Sequence, residues 1–170
     1  MIRTERLLLR PVEERDLDDL FAVYSNPQAM RYWSRPPHES REVTQARMQG
    51  LRASLAETGS EFVIDRGGRV IGRAGVWRIA EIGYILHPDF WRRGIMHEAL
   101  SALIPHAFRQ LEQIDALTAE IDPRNIASAR LLAKLGFHET HRAANTIEVG
   151  GEWCDSSYWR LARPALTPPG

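Results

Sequence analysis

The chain predicts a single α/β domain on a mostly antiparallel sheet. Three observations point there. Alternating runs over 61–65 and 69–77 flank Arg66-Gly67-Gly68, a hairpin signal. Helical patterns interleave with strand-like runs along the whole chain. The 170 residues, 44% apolar and 26% charged, suit one sizeable core.

Taken in order, Arg6 to Val12 is an apolar run stopped by Pro11, a first strand. Asp16 caps a helix through Ser25, with Leu17, Leu20, Phe21 and Tyr24 on one face, and Asn26-Pro27 ends it. An aromatic, Pro-stiffened loop over 32–38 leads to a second helix, 40–56, closed by Thr58-Gly59. The hairpin follows, then a strand over 80–86. A long amphipathic helix opens near Ile95, and Pro105 should kink it or end its regular part. Residues 116–121 read as a strand, and Asp122-Pro123-Arg124-Asn125 turns into a helix over 126–135, closed by Gly136. Strands over 137–149 and 153–161 complete about seven in all. The domain spans 1–163, and the Pro-rich residues 164–170 read as a disordered tail.

Lys plus Arg and Asp plus Glu balance at 22 each, so charge does not indicate a basic face for nucleic acid. A lone Cys154 forms no internal disulfide and fits a reducing cytosol. No signal peptide or membrane-length apolar run is present, so the expectation is a cytoplasmic protein with no membrane partner. The six histidines lack a compact ligand pattern, so no metal is expected.

Two constellations carry chemistry. Trp91-Arg92-Arg93-Gly94-Ile95-Met96-His97 joins a strand to a helix start, where free backbone N–H groups hold phosphates and arginines neutralise them. An ordinary loop with solvated arginines fits the same residues. Asn125-x-x-Ser128 with Leu135-Gly136-Phe137 places an N-cap and a hydroxyl one turn apart. Capping alone accounts for Asn125.

Together, and in this order, these motifs resemble the GNAT superfamily of acyl-CoA-dependent N-acyltransferases. The likeness runs from Thr4-Glu5-Arg6-Leu7 through Ala80 to Pro88, Trp91-x-x-Gly94 with Glu98-Ala99, Asn125-x-x-Ser128 and Leu135-Gly136-Phe137 to Gly151-Glu152-Trp153-Cys154-Asp155. It is strongest to the branch of ribosomal-protein N-terminal acetyltransferases. The resemblance implies a GNAT-like fold, its sheet splayed in the middle with helices on both faces, and acetyl-CoA as cosubstrate. Arg92, Arg93, Gly94, Ile95, Met96 and His97 would hold the pyrophosphate. Ile85 and Leu86 would offer backbone groups to the pantetheine arm, and Asn125 and Ser128 would face the sulfur. Met96 stands where the family carries a small residue, and Leu132 where many relatives carry a tyrosine that serves the leaving thiol. Ser128 substitutes there.

The chemistry is direct attack by an amine. Glu81, on the strand leading to the cofactor, is the first candidate for its base, through water. A backbone N–H near Ile85 would polarise the carbonyl. Trp33, Tyr84 and Asp155 are the residues expected to line the acceptor site. The acceptor is a primary amine, a protein N-terminus first and a small molecule or antibiotic second; relatives often form dimers, so a homodimer is the partner expectation. Two rivals stay open: a non-catalytic acyl-CoA sensor on the same fold, and a nucleotide-binding phosphate loop that lacks its Gly-Lys-Ser/Thr ending.

Overall fold

A computed structural model describes residues 1–78, 80–149 and 151–164. The tail expected from residue 164 lies, from 165 onward, outside them. The elements are β1 (Ile2–Arg3), β2 (Leu8–Arg10), α1 (Leu17–Tyr24), α2 (Arg41–Thr58), β3 (Glu61–Arg66), β4 (Arg69–Arg78), β5 (Glu81–Leu86), α3 (Ile95–Gln110), β6 (Ala116–Ile121), α4 (Ile126–Lys134), β7 (His138–Val149) and β8 (Glu152–Ala162). They form one eight-stranded sheet in the order β1-β2-β3-β4-β5-β6-β8-β7, antiparallel except between β5 and β6. Among the described residues, no helix is long and apolar enough to cross a membrane.

The sheet has one strand more than the sequence indicates. The Thr4 hydroxyl accepts the Leu7 amide at 3.0 Å, and this tight turn lets Ile2–Arg3 pair back on β2. Helices cover both faces. On one, α1 and α2 enclose Leu20, Val23, Met48, Leu51, Val63 and Ile85. On the other, Ile95, Ala99, Leu103 and Ala107 of α3 and Leu132 of α4 meet Ile82, Leu86 and Leu117.

Two further expectations are corrected. Pro105 does not end α3, which runs through it to Gln110. It faces solvent, as does Ser101, so the carbonyl that loses its helical partner can be hydrated. Asp16 does not cap α1 with its side chain. Its buried carboxylate instead takes both Arg10 Nη atoms at 2.8 Å, while Arg10 Nε reaches Asp65 Oδ2 at 2.9 Å. A buried arginine draws partners more strongly than a helix end does.

The middle of the sheet is open. β5 and β6 share one paired register, Glu81 with Thr118, fixed by Thr118 N–H on the Ala80 carbonyl at 2.7 Å. Beyond it the strands diverge. The other edge of β5 is packed tightly on β4: a Cβ on Gly72 would fall 2.2 Å from the Ile85 carbonyl oxygen.

Candidate active site

The gap between β5 and β6 organises the site. His87 N–H bonds the Ile71 carbonyl, which sets the alternation of β5 against β4. Ile85 therefore turns its backbone groups to Arg73 of β4, while Tyr84 and Leu86 turn theirs toward the gap. Of the backbone groups expected to border the gap, Leu86's do and Ile85's do not, and Tyr84's stand there as well. The Leu86 carbonyl is already taken by the Trp91 indole at 2.8 Å, so its amide is the group left to the gap. The Ile85 side chain is buried against α1 and α2.

Below the gap's mouth, a 3₁₀ turn over Pro88–Phe90 and the basic loop lead into α3. Arg92 and Gly94 both adopt left-handed backbone, φ 59° and 71°, a conformation costly for arginine. Gly94 is the N-cap and offers no side-chain cap, so the first amides of α3, Ile95 to His97, have no capping side chain. Arg92 and Arg93 are exposed beside them. Met96 is half-buried against the core that α3 shares with the sheet. The loop is clamped by Glu98, a motif residue to which the sequence reading gave no role. Glu98 accepts the Thr4 hydroxyl at 2.5 Å, the Arg6 amide at 2.9 Å and Arg6 Nε at 2.6 Å, and Arg6 Nη1 donates to the Arg93 carbonyl at 3.0 Å.

Across the gap, Asn125 caps α4, its side-chain oxygen accepting the Ser128 amide at 3.1 Å. Both side chains are half-buried. Tyr84 was expected with Trp33 and Asp155, but the alternation of β5 puts it on the opposite face, packed on the α3–α4 side next to Ser128. Trp33 lies on the α1–α2 face, its ring 5.3 Å from the guanidinium carbon of buried Arg73. Asp155 is exposed on β8 and accepts the Asn145 amide at 3.1 Å, holding a bulge of β7.

Glu81 shares the Trp33 face. It is half-buried in the interior of the sheet, not on an edge, and accepts the Trp77 indole at 3.2 Å. Burial raises its carboxyl above the usual range; the Trp77 bond opposes this and the charge of Glu120 on β6 adds to it. Glu120 itself accepts the Ser156 hydroxyl at 2.6 Å. Its influence joins two strands 39 positions apart (120 less 81) and leaves no local sequence signal. Two cavities flank the tip of the β7–β8 hairpin. One, about 240 Å³, is lined by Arg31, Tyr32, Arg124, Val149 and Glu152; the other, about 380 Å³, by Ser34, Pro36, Glu148 and Gly151. Among the described residues, no three His, Cys, Asp or Glu side chains gather as metal ligands.

A thioester-bearing arm fits this arrangement: strand amides face a slot where β5 and β6 no longer pair, and a helix start without a capping side chain, flanked by arginines, stands at its end. An open slot of this kind, with a basic helix start below it, suits the arm and phosphates of an acyl-CoA and points to an acyltransferase. Residues 6–138 match the family described as an acetyltransferase (GNAT) domain, and the chain belongs to that family. It is an acetyl-CoA-dependent N-acetyltransferase, which sets aside the nucleotide-binding and sensor alternatives. It is 30% identical to the uncharacterized N-acetyltransferase YoaA of Bacillus subtilis, over 96% of this chain and 97% of that one. It is 29% identical to the [ribosomal protein uS5]-alanine N-acetyltransferase of Escherichia coli, over 98% and 93%. The fold superposes on RimL, a ribosomal L7/L12 α-N-protein acetyltransferase bound to coenzyme A, with a TM-score of 0.80 at 22% identity over 94% and 95%.

Proposed function

We propose that the acceptor is the N-terminal amine of a protein. The observation that carries this is the cavity beside the start of α4. Arg31 and Arg124 line it with Glu152, a mixed lining that suits a peptide's carbonyls and side chains and repels a polycation. The similarity to a ribosomal-protein alanine acetyltransferase supports the same reading.

Acetyl-CoA, when bound, supplies an activated acetyl thioester. Arg92, Arg93, Gly94 and the amides of Ile95, Met96 and His97 hold its phosphates. Of the Tyr84 and Leu86 amides, one holds the arm and the other donates to the carbonyl oxygen as charge develops there. Glu81 takes the proton of the incoming ammonium, directly or through one water. Its raised pKa makes it a stronger base than an exposed glutamate. Asn125 and Ser128 stand at the thiol end. Holding amine and thioester together removes the need for a covalent enzyme intermediate.

The test is thiol release from acetyl-CoA with peptides beginning Ala or Ser, spermidine and an aminoglycoside as acceptors. The expected result is the highest kcat/KM on a peptide; a higher value on spermidine or the aminoglycoside overturns this assignment.

A further inference from the structure

We propose that Tyr84 donates the proton to the departing thiolate, relayed from Ser128. This rests on the acyl-transfer reading above. The Tyr84 hydroxyl is buried and has no hydrogen-bond partner among the described residues. Such a hydroxyl is costly unless something it serves arrives. It sits on the α3–α4 face of β5, where Ser128 faces it without a formed bond. The Tyr84 amide borders the gap between β5 and β6, while its hydroxyl lies on the α3–α4 face beside it, toward Ser128. Burial pushes its phenol up to about 12, with Ser128 opposing. It therefore stays protonated, holding a proton ready, through the neutral pH range.

The other groups in range do not serve. Leu132 is fully buried and apolar. Tyr158 lies on the Glu120 side of the sheet, its hydroxyl 3.4 Å from that carboxylate. Tyr24 stacks on His38 beneath the opposite face, and Tyr32 lines the acceptor cavity. Ser128 alone is a weak acid. As a relay it needs only to replace the proton Tyr84 gives up, and it is half-exposed, open to resupply from water.

The step balances. The amine lone pair forms the C–N bond, and the C–S bond breaks with its pair on sulfur. The phenolic proton moves to sulfur, the Ser128 hydroxyl proton moves to the Tyr84 oxygen, and water reprotonates Ser128. The nitrogen sheds two protons, one from the ammonium before attack and one after the C–N bond forms; Glu81 passes both to water, one replacing the proton water gave Ser128 and the other being the net proton released.

The experiment titrates the thiol of free CoA bound to the protein, by the ultraviolet absorbance of its thiolate, in the parent, Tyr84→Phe and Ser128→Ala. Loss of the donor in Tyr84→Phe should lower the thiolate fraction about tenfold at a given pH. The same variant should lose about 100-fold in kcat, while its melting temperature holds or rises because an unpaired buried hydroxyl has gone. Ser128→Ala should lose less, and should add nothing to Tyr84→Phe in the double variant. A parental thiol titration and parental kcat in Tyr84→Phe overturn the assignment of Tyr84 alone. Failure of the parent itself to bind CoA overturns the acyl-transfer reading, and this one with it.

Discussion

Glu81 has given up much of its water, and among the described residues one donor, the Trp77 indole, bonds its carboxylate. Its raised pKa has a readable consequence. The base is the ionised form, so kcat/KM should climb with pH through a value above that of an ordinary glutamate. Glu81→Gln should remove that acid limb and lower kcat/KM about 100-fold, as a rate–pH profile would show. Asn125 was predicted at both the cap and the sulfur, and the structure gives it the cap. Asn125→Ala should therefore cost about 1 kcal/mol of stability as well as turnover. Asn125→Asp keeps the accepting oxygen and should restore the melting temperature. These two residues were legible because a strand-borne carboxylate and an N-cap have local signatures. Glu120, Arg73 and the Arg6–Glu98 clamp were not, since each acts across strands or helices distant in sequence.

At the scale of elements, α3 and its loop depend on the N-terminal segment. Burial would raise Glu98, but the Thr4 hydroxyl and the amide and guanidinium of Arg6 more than offset it and hold it below the usual carboxylate range. The clamp's stability is thus present above the unfolded pKa, about 4.3, and lost only as pH falls through the lower folded value. Arg6 is 40% exposed. Arg6→Ala should therefore raise KM for acetyl-CoA only about two- to threefold, with kcat little changed in steady-state kinetics. β5 is less forgiving. Gly72→Ala would drive a methyl into the Ile85 carbonyl and push β5 from β4. A loss of about 3 kcal/mol should follow, measured by denaturant unfolding, together with weaker CoA binding. The helix boundaries were legible from Gly59, Gly94, Asn125 and Gly136. Pro105 does not end α3, because its face is wet and the freed carbonyl can be hydrated.

Over the whole molecule, two apolar layers share one sheet, and a buried ion pair lies between β3 and β4 on the α1–α2 face. Arg73 and Glu61 approach to 3.2 Å, both almost wholly buried. Burial raises Glu61, and Arg73 is the largest group opposing that rise. Arg73→Ala would leave a carboxylate without its partner, a loss of about 3–5 kcal/mol. Glu61, its folded pKa then further above the unfolded one, would destabilise increasingly as pH rises through it. The melting-temperature deficit of Arg73→Ala should be larger at pH 8 than at pH 5, and adding Glu61→Gln should shrink it. The sequence by itself determined the alternation of elements, the helix starts that can hold phosphate and cap α4, and the family, because periodicity, glycine and capping residues act over a few positions. Only the tertiary structure decided which backbone amides face the gap, that Glu81 and Tyr84 stand on opposite faces of β5, and which charges are buried together. Those follow from strand register and from the divergence of β5 and β6, which join residues far apart in the chain.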